Sequence, residues 1–172
     1  LDGSLSANTF TNLFKGVDVY STLSAVSVTN VIGNSFDQVQ QGLTLNSTPF
    51  ATINDNRFNV PSGNTNYDAY GIMSLKSFGY EIRSNVLEAV SGNNFTKGLV
   101  LRDSYFSGIE LSLTVADVVD NTFTGSFAAA TQIEGDNSRV QFSCNVYGEN
   151  ETSNTSPRID WYLASANPLN GS

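Results

Sequence analysis

The chain contains no histidine and a single cysteine, Cys144. Without histidine there is no Ser-His-Asp triad, no imidazole metal ligand, and none of the side chain most often used as a general base. One cysteine excludes an intrachain disulfide, and a lone thiol with no imidazole to activate it is a poor nucleophile. Charged residues make up only 14% of the 172 positions, and the eight basic ones are scattered singly within a net charge of −8. No Lys/Arg patch is therefore available to meet nucleic-acid phosphates. Phosphate-binding loops of the Walker type do not occur. No run of about 18 apolar residues long enough to span a membrane is present.

What remains is a hydroxyl- and amide-rich chain with 40% hydrophobic residues, including 11 Phe and 7 Tyr beside one Met and one Trp. Ser, Thr, Asn and Gly are weak helix formers, so this mixture suits strands and the corners between them. The aromatics fit stacked interior positions better than a helical Leu/Met core. An acidic, hydroxyl-rich surface serves solubility first, and is compatible with carbohydrate or Ca²⁺. The length is that of one domain with a sizeable core.

One phrase recurs: an apolar residue, two variable ones, Asn, one variable residue, then an aromatic or Leu. It is written as Leu5…Asn8…Phe10, Val31…Asn34…Phe36, Ile53…Asn56…Phe58, Ile82…Asn85…Leu87, Val118…Asn121…Phe123 and Phe142…Asn145…Tyr147. A weaker copy, Leu101…Ser104…Phe106, has Ser for Asn and would divide the longest Asn-to-Asn step, 36 residues, into 19 and 17. Repeats of this length are the mark of a solenoid. Asn tolerates the left-handed backbone region and suits a sharp corner. Its apolar neighbours would point inward from the two flanking strands. Stacked coils then set Asn8, Asn34, Asn56, Asn85, Asn121 and Asn145 above one another, where identical amides bond along a ladder. The row reads as structural and inward-facing rather than as a polar grip on a ligand.

Each coil carries two further strands. One opens on Gly: Gly16–Val19, Gly42–Leu45, Gly71–Leu75, Gly98–Leu101 and Gly108–Leu111. The other leads into the corner: Ala25–Val28, Ala51–Ile53, Tyr80–Ile82, Val115–Val118 and Arg139–Phe142. Both show period-two alternation. The predicted fold is all-β, a single right-handed parallel β-helix of about six or seven coils over residues 1–147, the hand following from the crossover rule. Residues 148–172 read as a loop, a last strand and a capping tail, with Trp161 covering the open end of the stack or, on a sharper reading, stacking on sugar. The register between Leu87 and Leu111 stays open, because Leu101 to Ser104 is too short for a normal third strand. Insertions 59–70 and 88–97 leave the same corner, so Tyr67 and Tyr70 are candidate ligand-binding residues beside Trp161. The chain starts at Leu1 already inside a repeat, which reads as a mature product or a piece of something longer.

The Asn corner followed by Phe resembles the right-handed parallel β-helix of pectate-lyase-like proteins and many bacterial surface proteins. That resemblance covers residues 5 to about 147 and implies fold; lyases, hydrolases, epimerases, adhesins and tailspikes share it. The segments Cys144–Tyr147, Asp160–Leu163 and Leu169–Ser172 are similar to stretches of large exported Bacteroidota proteins, which implies type IX secretion and a place on the cell surface.

Carboxylates are the remaining chemistry. Asp55, Asp103 and Asp120 each precede a corner residue, so two of them could stack on adjacent coils about 4.8 Å apart. Such a pair suits glycoside hydrolysis, and a row of oxygens suits Ca²⁺, the one cofactor admitted here. Solvated turn residues are the plainer reading, since Asp favours corners for the same backbone reasons as Asn. Lyases of the resembling family pair calcium with an Arg or Lys base; Arg102 beside Asp103 is the local imitation, with Arg83 expected one coil below. Rows of Thr in register, as in solenoid ice-binding proteins, do not form, since Ser35, Arg57 and Val86 separate Thr9 from Thr122. The expected function is a non-catalytic module of a secreted or cell-surface protein, a spacer, adhesin or glycan-facing segment. Its expected partners are flanking coils of a longer chain, other surface proteins or glycan, with no nucleic acid and no membrane span. The alternative is a polysaccharide lyase or hydrolase fragment using Asp55, Asp103 and Asp120 with Arg102.

Overall fold

The computed structural model describes residues 3–21, 29–104, 114–137 and 139–148, and the backbone of 159–162. Strands alone build it, and they alternate among three parallel sheets. The first sheet holds β1 (Gly3–Ser6), β4 (Thr29–Ile32), β7 (Thr52–Asn54), β10 (Glu81–Arg83), β13 (Ala116–Val119) and β16 (Val140–Ser143). The second holds β2 (Thr9–Thr11), β5 (Ser35–Asp37), β8 (Arg57–Val60), β11 (Val86–Ala89), β14 (Thr122–Gly125) and β17 (Val146–Tyr147). The third holds β3 (Lys15–Tyr20), β6 (Gln41–Asn46), β9 (Ala69–Leu75), β12 (Thr96–Arg102), β15 (Ala129–Glu134) and β18 (Ile159–Tyr162). Each turn of the chain visits all three, giving a parallel β-helix of six coils.

Register pairing places like residues in columns. Leu5, Val31, Ile53, Ile82, Val118 and Phe142 align in the first sheet. Phe10, Phe36, Phe58, Leu87, Phe123 and Tyr147 align in the second, and Val17, Leu43, Ile72, Leu99 and Thr131 in the third. The middle members of all three columns are fully buried and form one core. The rings stack face to face, Phe10 on Phe36 at 4.9 Å, Phe36 on Phe58 at 4.5 Å and Phe123 on Tyr147 at 5.1 Å. Each such pair adds about 0.5–1.5 kcal/mol beyond the area it buries. The strand-opening glycines fit against this column. A Cβ on Gly16, Gly42 or Gly98 would lie 2.8–2.9 Å from the ring of Phe36, Phe58 or Phe123, and would also press on the backbone of the next coil.

The Asn corner works differently from the sequence expectation in one respect. The left-handed residue is the one before each Asn: Ala7, Gly33, Asp55, Ser84, Asp120 and Cys144 all have φ between 53° and 65°. The Asn instead uses its side chain. The backbone N–H and the side-chain Nδ2 of each Asn both donate to Oδ1 of the next, from Asn8 to Asn34, Asn56, Asn85, Asn121 and Asn145, at 2.9–3.2 Å. Nδ2 also donates to a carbonyl of the preceding coil, as Asn85 does to Ile53 O at 2.8 Å.

A second ladder, which the repeat phrase does not announce, closes the corner after the third sheet. Buried Thr48, Ser77 and Ser104 directly follow the left-handed residues Ser47, Lys76 and Asp103, and buried Asn137 lies two residues after left-handed Gly135. Thr48 N–H donates to Ser77 Oγ at 3.0 Å, and Ser104 N–H to Asn137 Oδ1 at 3.3 Å. This corrects the reading of Leu101…Ser104 as a degenerate Asn corner. Leu101 lies in β12 of the third sheet and Ser104 belongs to a different corner, so the 36-residue step from Asn85 to Asn121 is one coil carrying an insertion. Among the described residues the coil count is therefore six. Phe106 and the Gly108–Leu111 strand fall outside the described residues, as does Ala25–Val28; the strand entering the Asn34 corner is β4.

Replacing Gly42 with Ala forces its Cβ onto Phe58 and the neighbouring backbone, so stability should fall by about 1–3 kcal/mol. Gly3→Ala, where nothing lies within 4 Å, should leave the urea midpoint unchanged. Asn85→Leu strands the backbone N–H of Asn56, a buried donor worth about 1–3 kcal/mol when orphaned, while Asn56 Nδ2 keeps Val31 O and Asn54 O. It should therefore cost about 1–3 kcal/mol, against less than about 1 kcal/mol for Asn8→Leu at the exposed end, both read by equilibrium unfolding.

Candidate functional site: the corner between the second and third sheets

The corner that follows each inward aromatic differs most from coil to coil. In coil 1 it is the tight turn 12–14, with Asn12 left-handed at φ 55°. In coil 2 it is 38–40, with Gln38 left-handed at φ 54°. These two turns stack directly, since the N–H groups of Gln40 and Gln41 donate to Leu13 O and Phe14 O, both at 2.9 Å. In coils 3 and 4 the corner expands into the loops 61–68 and 90–95.

Local polar side chains fold both loops. Asn64 and Tyr67 exchange backbone hydrogen bonds at 3.0 and 3.2 Å, while Asn64 Oδ1 accepts the N–H of Asn66 at 2.9 Å. In the next coil Asn93 Oδ1 accepts the N–H of Phe95 at 3.0 Å. Asn and Asp favour such turns because their side chains bond the backbone two residues on. The loops then lock together: Asn93 Nδ2 donates to Gly63 O at 2.8 Å, Gly63 N–H donates to Thr96 Oγ1 at 3.2 Å, and Ser62 Oγ donates to Ser91 O. Gly63 lies flat on Phe95, whose Cβ would be 2.6 Å from any added carbon. Gln40 Nε2 ties the shorter turn to the same block through Ser62 O at 3.0 Å.

This block carries Tyr67 back across coil 2 to coil 1. There its ring meets Phe14 edge to face, centroids 4.9 Å apart and planes at 87°. Leu13 at 42% exposure, Phe14 at 50% and Tyr67 at 36% make an apolar shelf open to solvent. Its rim is polar. Lys15 Nζ sits 3.7 Å from Asp18, and Lys97 Nζ 2.9 Å from Asp68. Tyr20, 71% exposed, stands at the other end of β3.

Tyr70, predicted to share a ligand with Tyr67, is instead buried, and its hydroxyl bonds Thr44 Oγ1 at 2.9 Å. Burial raises its pKa, with the hydrogen bond to Thr44 opposing. Trp161 contributes its backbone to β18, pairing with Ile133; its proposed cap or sugar contact lies outside the described side chains. Phe14 and Leu13 were missed, although the sequence does signal them. The coil writes Leu-Phe where the next coil, in the same backbone position, has Val39-Gln40.

The carboxylates do not converge. The corner column runs Ala7, Gly33, Asp55, Ser84, Asp120, Cys144, the first five each bonded through N–H to the coil beyond. Ser84 thus separates Asp55 from Asp120, two rungs and roughly 10 Å apart. Asp103 belongs to the other corner, where its Oδ1 accepts Asp136 N–H at 3.3 Å. Arg83 and Arg102 occupy the same coil on different sheets, Arg83 between Glu81 (2.5 Å) and Asp120 (3.5 Å), and Arg102 bonded to Glu134. The Arg83 pairs are exposed and contribute little to stability, and the Arg102–Glu134 pair is half-exposed. Among the described residues no group of three or more acidic or Cys side chains gathers to hold a metal, and no helix is long and apolar enough to cross a membrane.

Three tyrosines titrate away from the ordinary value. Burial raises Tyr80 most, against hydrogen bonds that include Ser104 Oγ at 2.9 Å; Tyr70 and Tyr147 are raised by the same cause. A phenol kept neutral in the fold but ionising near pH 10 in the unfolded chain gives stability that is full below that pH and lost above it. The melting temperature should fall as pH rises past about 10, and Tyr80→Phe should flatten that fall, read by thermal scans from pH 7 to 11. A fall of equal slope in the variant would contradict the assignment.

Comparison with protein-family models, with curated proteins and with solved structures finds no match to this chain.

Proposed function

We propose that the chain is a non-catalytic β-helical module of a secreted or cell-surface protein, and that its shelf at Leu13, Phe14 and Tyr67 rests against the apolar face of a glycan. The observation that carries this reading is the Phe14–Tyr67 pair, held open to solvent by a loop block that spans three coils. A solenoid's insertions emerge on the face it most often uses for binding. Exposed aromatics gathered on a polar-rimmed patch suit a ligand with both C–H faces and hydroxyls. The surrounding hydroxyls, amides and the Lys97–Asp68 pair supply the polar contacts. Cell-surface placement follows from the resemblance of the C-terminal segments to exported Bacteroidota proteins, and the pectate-lyase-like resemblance makes polysaccharide the first class to try.

The test is a glycan array probed with the intact chain, Phe14→Ala and Tyr67→Ala, with circular dichroism as the folding control. Binding that falls at least tenfold in either folded variant supports the proposal. Binding indifferent to both substitutions overturns it. So does calcium-dependent turnover of a polysaccharide that is lost in a folded Asp120→Ala variant.

A further inference from the structure

The two ends of the asparagine ladder are chemically different. Each Asn gives its N–H and Nδ2 to the Oδ1 of the next coil, so every Oδ1 from Asn34 onward receives two donors from the coil before it. Asn8 gives its donors to Asn34, and its own Oδ1 receives none from the described residues. The first coil therefore ends in a carbonyl acceptor at the position where every other coil accepts two hydrogen bonds.

The apolar columns end in the same way. Val31, Phe36, Leu43 and Leu45 are fully buried, whereas their column-mates Leu5, Phe10, Val17 and Val19 are only partly covered although they pack on the same core. One face of the Phe10 ring lies on Phe36, and among the described residues the other carries no ring. Beside these side chains, β1, β2 and β3 each pair on one side only among the described residues. Three coplanar parallel edges offer a template for strand addition.

We propose that this face docks one further parallel β-coil built on the same phrase, Asn followed two residues later by an aromatic ring. The polarity of the ladder selects that occupant. A parallel coil presents its Asn N–H and Nδ2 to Asn8 Oδ1 and sets its ring on Phe10, repeating the interface between coils 1 and 2. A second copy turned face to face would oppose one Asn8 Oδ1 to another, acceptor against acceptor. The docking is independent of the glycan shelf, which lies on the outside of the coils.

The experiment supplies such a coil and reads amide hydrogen exchange in β1, β2 and β3. A variant carrying a copy of residues 29–51 ahead of Leu1 should protect those amides at least tenfold over the unextended chain and raise its melting temperature. Asn34→Leu within the copied segment should forfeit most of that protection. Exchange in β1–β3 unchanged by the added coil overturns the proposal. Sedimentation velocity of the unextended chain decides about the other occupant: self-association that itself protects β1–β3 would replace the coil with a second copy, while a monomer with unprotected edges supports the assignment.

Discussion

The constraint on which the molecule depends is that a buried corner must leave no backbone group unbonded. A parallel β-helix bends its chain at every coil, and at a bend the strand ladder cannot satisfy the N–H groups that turn inward. Here the six asparagines do so. The side-chain carbonyls of Asn34, Asn56, Asn85, Asn121 and Asn145 replace the missing strand partner, each taking one backbone and one side-chain donor from the coil before it. An orphaned donor at such a site costs about 1–3 kcal/mol, so the amide is chemically required at these bends. A hydrophobic residue of similar size fills the space but carries no acceptor.

Once the corner is fixed, the packing follows. The left-handed residue before each Asn swings the chain so that the residue two positions after it points inward. Equal swings in every coil bring Phe10, Phe36 and Phe58 into one stack with interplanar angles of 14° and 9°. Flat rings packed face to face leave room on the third sheet only for a residue without a side chain, and Gly16, Gly42 and Gly98 occupy that room. The repeat phrase and the glycine are thus two consequences of one geometry. The coil that lacks the ring, at Leu87, shows the same rule, since a Cβ on Gly71 would lie 2.7 Å from Leu87 Cδ2.

Most of this was legible in the sequence because it repeats. The Asn-x-aromatic phrase located the first sheet, the second sheet and the corner between them, and the Gly strands located β3, β6, β9 and β12 of the third, but not β15, which has no glycine. Two features were not legible for physical reasons. The left-handed conformation falls on Ala7, Asp55, Ser84 and Cys144, residue types with no shared preference for it, because the ladder behind them imposes it. The second set of corner bonds, Thr48 to Ser77 and Ser104 to Asn137, has no constant residue type, since hydroxyl and amide oxygens both accept the one N–H that needs a partner. That tolerance is also why Ser104 could be mistaken for a weak Asn corner. Tyr67 and Tyr70 face different ways: three residues apart on a loop that enters a strand, one ring is exposed and the other turns under to Thr44.

The scaffold and the shelf divide the labour between them. Two ladders and a ring stack rigidify the interior, so the corner between the second and third sheets is free to vary in length without disturbing the register. The coils use that freedom unequally. Coil 2 keeps a tight turn, and coils 3 and 4 extend loops that bond one another through Asn93, Gly63 and Thr96. Because coil 2 is short, the loop of coil 3 can reach over it, and Tyr67 arrives at Phe14. The exposed aromatic pair is therefore a product of the length difference between neighbouring corners. A binding surface of this kind needs no residue from the core, and it can change its ligand by changing the loops while every asparagine stays in place.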